Sequence, residues 1–201
     1  MFYQFGVPMN ISKYQENQEH LVISIIKSKS YIIELLSIVK NLDLNEWCIA
    51  AGTIRGAVWD HLHGFNAPTL PTDIDVLFYD RDLNDSDHEI GLQKKLAEIK
   101  SDVQWEVVNQ ATIHEHNKDR PYSSISDALS RWVEPANAIG AYLDNNNEIR
   151  LIAPFGVEDL LSMTVRPNLK SPTAKGVYID RMKNKKWQEK WPKIKIIMPK
   201  E

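Results

Sequence analysis

Of 201 residues only one is a cysteine, Cys48. A lone thiol closes no internal disulfide, which argues against a secreted, disulfide-stapled domain and fits a reducing, cytoplasmic setting. Cys48 stands in an apolar run, where cysteine behaves as a small buried hydrophobe. Glycine (8) and proline (10) are too sparse for a collagenous or low-complexity chain. No stretch approaches the roughly 18 to 20 uninterrupted apolar residues of a membrane helix. The opening MFYQFGVPMNISKYQENQ lacks the basic start and apolar run of a signal peptide. Charge of one sign is also missing: 24 Lys and Arg stand against 27 Asp and Glu, a net −3. No global basic field therefore recruits nucleic acid. What remains is a globular composition, 43% hydrophobic and 25% charged, at a length that favours a single domain over 1–201.

The periodicity predicts a helix over 12–40, with Leu21, Val22, Ile25, Ile26, Ile32, Ile33, Leu35, Leu36 and Val39 at near-helical spacing. The run 46–52 reads as a buried strand, 53–64 as a helix stopped by Gly64, and 73–79 as a β-branched, aromatic strand. A helix over about 87–100 and a strand over 103–110 follow. Beyond these, 124–132 reads as a Ser-capped helix, AIGAYLDNNNEIRLIAP as a hairpin, and 156–165 as a helix ended near Pro167. Strand and helix alternate only within 46–110, the core of the chain, with additions on both sides. That pattern predicts an α+β fold, a small mixed sheet flanked by helices, rather than a long doubly wound sheet.

The informative segment is Thr72-Asp73-Ile74-Asp75. On an extended strand, Asp73 and Asp75 point to one face while Ile74, Val76 and Phe78 point to the other. Two like charges on one face make physical sense when a hard divalent cation, Mg²⁺ or Mn²⁺, lies between their oxygens. The pair also fits a loop cap beside a solvated carboxylate. Upstream, Gly52-Thr53 at a strand-to-helix junction allows close backbone approach, and the helix start offers free N–H groups to a phosphate. Thr53 adds a hydroxyl and Arg55 a guanidinium clamp; the same residues fit an ordinary helix start with Thr53 as N-cap. Glu106, between Trp105 and Val107 on the third strand, either completes a three-carboxylate site or faces water from an edge.

Together, Gly52-Thr53, Asp73-Ile74-Asp75 and Glu106 resemble the polymerase-β-like nucleotidyltransferase superfamily. The stretch GTIRGAVWDHLHG…TDIDVLF is similar to the GGxVRDxLxG…DxD of tRNA nucleotidyltransferases and poly(A) polymerases. The later run AIGAYLDNNNEIRLIAPFGVEDLLSMTVRPN, with the Trp-Pro-containing basic end, resembles bacterial nucleotidyltransferase-like proteins of undefined substrate. Thr53 stands where the superfamily has Ser or Gly, and Glu106 where Asp is more common. The resemblance implies Mg²⁺-dependent transfer of a nucleoside monophosphate from an NTP to an acceptor hydroxyl. Asp73, Asp75 and Glu106 would act as metal ligands and catalytic groups, Glu106 helping to deprotonate the acceptor. Gly52, Thr53 and Arg55 would bind the nucleotide. The acceptor stays open among a small molecule, a protein and an RNA, as does the oligomeric state. An inactive module that keeps the fold to bind a nucleotide or a protein is the alternative, and a partner protein using its Trp-rich end is a third.

Other features carry less. His61 and His63 diverge by about 200° on a helix, and His114 and His116 fall in a polar stretch after the third strand. From Lys175 onward nine Lys or Arg stand against three acids. Trp187 and Trp191 either stack bases there or seal the core with their lysines in water. Arg166 and Lys170 are further candidates for triphosphate contact.

Overall fold

A four-residue strand, β1 (Trp47–Ala50), is buried along its whole length, as its unbroken apolar sequence requires of a central strand. Around it the computed structural model, which describes residues 11–83, 86–171 and 174–199, forms a five-stranded sheet in the order β3-β2-β1-β4-β5. The other strands are β2 (Ile74–Phe78), β3 (Trp105–Asn109), β4 (Gly140–Leu143) and β5 (Ile149–Ile152). Only β2 and β3 run parallel, joined by the helix α4 (Ser86–Ile99); the remaining pairs are antiparallel. The α+β expectation of a small mixed sheet flanked by helices holds.

The periodic segment 12–40 is two helices, α1 (Ile11–Lys27) and α2 (Ser30–Lys40). The break falls at Lys29, whose backbone is extended (φ −108°, ψ 94°), next to Ser28, whose hydroxyl donates to the carbonyl of Ile25 at 2.6 Å. Both helices bury their apolar stripes: Val22, Ile25, Ile26, Ile32, Leu35, Leu36 and Val39 lie in the main core with Ile74, Val76 and Phe78. The other face of the sheet, with Cys48, Ala50, Leu77 and Tyr79, is covered by Tyr122, Ile125, Ala128 and Leu129. The last three come from a short helix, α5 (Ile125–Leu129), capped by the Ser124 hydroxyl accepting from the Asp127 amide at 3.0 Å, and Tyr122 from the segment before it.

The hairpin is no appendage. Its strands extend the sheet beyond β1, so the sheet runs to Ile152 rather than closing within 46–110. The helix expected over 156–165 is only α6 (Glu158–Leu161); Met163 takes a φ of 54° and the chain enters a strand, β6 (Thr164–Val165). The basic end forms α7 (Ala174–Lys185), α8 (Trp187–Lys190) and β7 (Lys195–Ile196), and β7 pairs parallel with β6. Tyr178 on α7 fastens this end by donating to the carbonyls of Val165 and Ile197, each at 2.9 Å. No helix among the described residues is long and apolar enough to cross a membrane.

Candidate active site

The helix α3 (Gly52–His63) follows β1 after a single residue, Ala51, and ends at Gly64 in the left-handed region. Ala51 has φ 53° and ψ −123°, a conformation that glycine adopts freely and a β-carbon resists. The turn sets the start of α3, at Gly52, beside the start of β2 at the edge of one cavity of about 750 Å³. That volume suits a single small-molecule ligand.

Asp73 lies one residue before β2 and Asp75 within it; parallel pairing sets Asp75 opposite Glu106 on β3. Oxygens of the three carboxylates lie within 4.8 Å of one another. None of the three forms an ion pair among the described residues, while Thr72 donates its hydroxyl to Asp73 at 2.9 Å. Burial, then the charges of Asp73 and Glu106, push the Asp75 carboxyl up to about 7. Burial and the neighbouring Asp73 also raise Glu106 above the ordinary carboxylate range. Like charges this close need a proton or a cation between them. Three hard oxygen donors on one face therefore fit Mg²⁺ or Mn²⁺.

The same cavity is lined by Gly52 and Arg55. Arg55 is only 7% exposed; its guanidinium donates to Asn137 Oδ1 and lies against the rings of Trp59, Trp187 and Trp191. Burial draws it down to about 10, opposed by the charge of Glu134. Thr53 is fully buried, its hydroxyl has no hydrogen-bond partner, and it does not line the cavity. The structure thus gathers Asp73, Asp75, Gly52 and Arg55 around one cavity, with Glu106 beside the aspartates, and sets Thr53 behind it.

Several lining residues have no local signature in the sequence. Glu134 precedes and Asn137 ends a one-turn 3₁₀ helix, Pro135–Asn137, and Arg181 on α7 pairs with Glu134 at 2.7 Å. Lys118, Lys185 and Lys190 bring further positive charge, and the compositional shift of the basic end is the one signal that pointed to the last two. Arg166 pairs instead with Asp159 at 2.9 Å, and neither it nor Lys170 lines the cavity. Trp187 and Trp191 are buried, as the core-sealing alternative requires. Neither histidine pair gathers a metal-ligand cluster among the described residues: His63 caps the Trp59 carbonyl and His114 the Ala111 carbonyl.

Over residues 37–196 the chain matches the family described as "Nucleotidyltransferase". It belongs to that family. An NMR structure described as a CCA-adding enzyme head domain superposes on this nucleotidyltransferase with a TM-score of 0.78 and 31% identity, covering 89% of this chain and 95% of that one. The two matches place it in the polymerase-β-like superfamily. A CCA-adding enzyme in complex with CTP shares the fold at TM-score 0.54 and 12% identity, over 89% of this chain and 43% of that one. The Thermotoga maritima CCA-adding enzyme complexed with tRNA does so at 0.51 and 13%, over 82% and 38%. This nucleotidyltransferase thus spans less than half the length of those two enzymes. None of the curated proteins matches it.

Proposed function

We propose that this nucleotidyltransferase moves a nucleoside monophosphate from an NTP to an acceptor hydroxyl, with Asp73, Asp75 and Glu106 as its metal ligands. The observation that carries the reading is the cluster of these three carboxylates at a cavity entered by the start of α3. Mg²⁺ or Mn²⁺ held there supplies neutralising charge for the triphosphate and acidifies the attacking hydroxyl. Gly52, without a side chain, lets the β- and γ-phosphates approach the free N–H groups of the first turn of α3. Arg55 adds a guanidinium at the same wall. Glu106 is the most exposed of the three carboxylates, which suits it to take the proton of the attacking hydroxyl. The acceptor oxygen then bonds to the α-phosphorus in line with the departing β-phosphate oxygen, and pyrophosphate leaves. The likeness to a CCA-adding enzyme head domain supports an RNA 3′ end as acceptor, beside a protein or small-molecule hydroxyl.

The test is binding of each of the four ribonucleoside triphosphates with Mg²⁺ by calorimetry. It is followed by transfer of α-labelled phosphate to RNA, protein and small-molecule fractions. Wild type should bind one or more NTPs and release pyrophosphate, and Asp73→Asn/Asp75→Asn should do neither while remaining folded. A folded wild type that binds no NTP overturns the reading.

A further inference from the structure

The tail that follows α7 does more than close the core. Between α7 and α8, Lys186 takes a left-handed φ of 48°, turning the chain so that Trp187 comes back onto the body and lines the cavity. There the Arg55 guanidinium carbon lies 4.3 Å from the ring centre of Trp187, against 5.2 Å for Trp59 and 5.8 Å for Trp191. Trp59 meets both other indoles edge-on, at 5.7 and 5.2 Å, which fixes the walls of the cage.

The charges inside this cage do not balance. Glu134, 1% exposed, accepts from Arg181 at 2.7 Å, and it is also the principal negative charge acting on Arg55. Two guanidiniums share this buried carboxylate, and Asp75 adds a weaker negative charge on Arg55. Among the described residues Arg55 makes one side-chain hydrogen bond, to Asn137, and its Nε is buried without a partner. Its NH2 group stands by Gly52, within 3.8 Å of where a β-carbon on that glycine would lie. An aromatic face attracts a guanidinium without neutralising it. A carboxylate in that place would cancel the charge and occupy the N–H edge. The cage therefore holds Arg55 rigidly while leaving positive charge at the wall where α3 begins.

We propose that Trp187 is a positioning residue that holds the Arg55 guanidinium in place to meet the triphosphate of the incoming nucleotide. The inference rests on the reading of this cavity as an NTP site. It makes the C-terminal segment part of the nucleotide site, although the segment lies about eighty residues and more from any other residue assigned to it.

The test compares Trp187→Leu with Trp187→Phe, two side chains of similar volume of which only one keeps a π face. Mg²⁺-dependent binding of ATP, CTP, GTP and UTP is measured by calorimetry, beside the thermal unfolding midpoint. Both variants should lose similar stability. Leu should weaken the tightest NTP by about tenfold or more, and Phe by about threefold at most. In an Arg55→Met background, Trp187→Leu should add no further loss. Should Trp187→Leu fail to fold, Trp187→Met takes its place as the ring-free variant. Equal affinities for the Leu and Phe proteins, or the same loss with Arg55 absent, overturn the inference while the NTP site stands. A wild type that binds no NTP removes the site and the inference together.

Discussion

The indole of Trp191 donates to Asp60 Oδ1 at 2.7 Å, a bond between residues 131 positions apart that joins the C-terminal segment to the last turn of α3. The same carboxylate accepts from the amide of Thr69 at 2.6 Å and its hydroxyl at 2.7 Å, so the loop after α3 is tied to it as well. Asp60 is 1% exposed and, among the described residues, has no cationic partner and is held by three donors. Both the loop at 69–73 and Trp191 line the cavity.

Asp60→Ala should therefore cost about 3 kcal/mol, because it strands three buried donors. Asp60→Asn should also be destabilising, since an amide nitrogen on either side would face a donor. Urea unfolding of the three proteins checks this. A midpoint for Asp60→Ala unchanged from wild type would remove Asp60 as the fastening point.

Gly140 on β4 packs on Cys48 of β1 so tightly that a β-carbon there would lie 2.4 Å from Sγ and 3.0 Å from the cysteine's own Cβ. The thiol is fully buried, and burial raises its proton affinity, so it stays protonated and unreactive at neutral pH. Gly140→Ala should destabilise by about 2 kcal/mol or more, through overpacking in a central strand pair. Cys48→Ala should relieve only part of that loss. Thiol labelling of the native protein should be slow and should accelerate with urea in step with unfolding.

Much of this was legible locally. Cys48 as a buried hydrophobe, the Gly64 stop, and Ile74, Val76 and Phe78 in the core all follow from side-chain type and period. The carboxylate cluster was legible because the strand period alone sets Asp73 and Asp75 on one face, and a neighbouring strand supplies Glu106. The break at Lys29 was not, because the apolar spacing on either side of it is intact. Nor could the sequence place Asn137, Glu134 or Arg181 at the cavity: their meeting with Arg55 depends on where the tail docks, through Tyr178 and Trp191. Trp187 illustrates the limit. The sequence treats it together with Trp191, as base-stacking or core-sealing, whereas the geometry gives the two indoles different work, one on Arg55 and one on Asp60.

Ala51 is the strained residue at the turn from β1 into α3. At φ 53° and ψ −123°, glycine should relieve the backbone and offset the loss of a buried methyl. Ala51→Gly is therefore expected within about 1 kcal/mol of wild type, whereas the β-branched Ala51→Val should cost about 2 kcal/mol or more. Thermal midpoints decide the order. Equal losses for Gly and Val would show that packing, not backbone strain, governs the position.

The last prediction follows from proton affinity. In the folded chain without metal Asp75 titrates at about 7, against 3.8 for an unperturbed aspartate, and Glu106 is shifted in the same direction. Over that window the native state binds more protons than the unfolded state, so stability falls as pH rises from about 4 to 7. For Asp75 alone the fall is on the order of 4 kcal/mol. Asp75→Asn should flatten the dependence and leave the metal-free protein more stable than wild type at pH 8, with an advantage that shrinks as pH approaches 4. Mg²⁺ or Mn²⁺ binds the ionised cluster, so either should stabilise the wild type at pH 8, by about 1.4 kcal/mol at tenfold its dissociation constant. It should act far less at pH 5, where Asp75 holds its proton, and hardly at all on Asp75→Asn. A metal-free wild type whose stability is flat between pH 4 and 8 would show that the carboxylates do not crowd one another in solution, and the case for a cation between them would lose its physical basis.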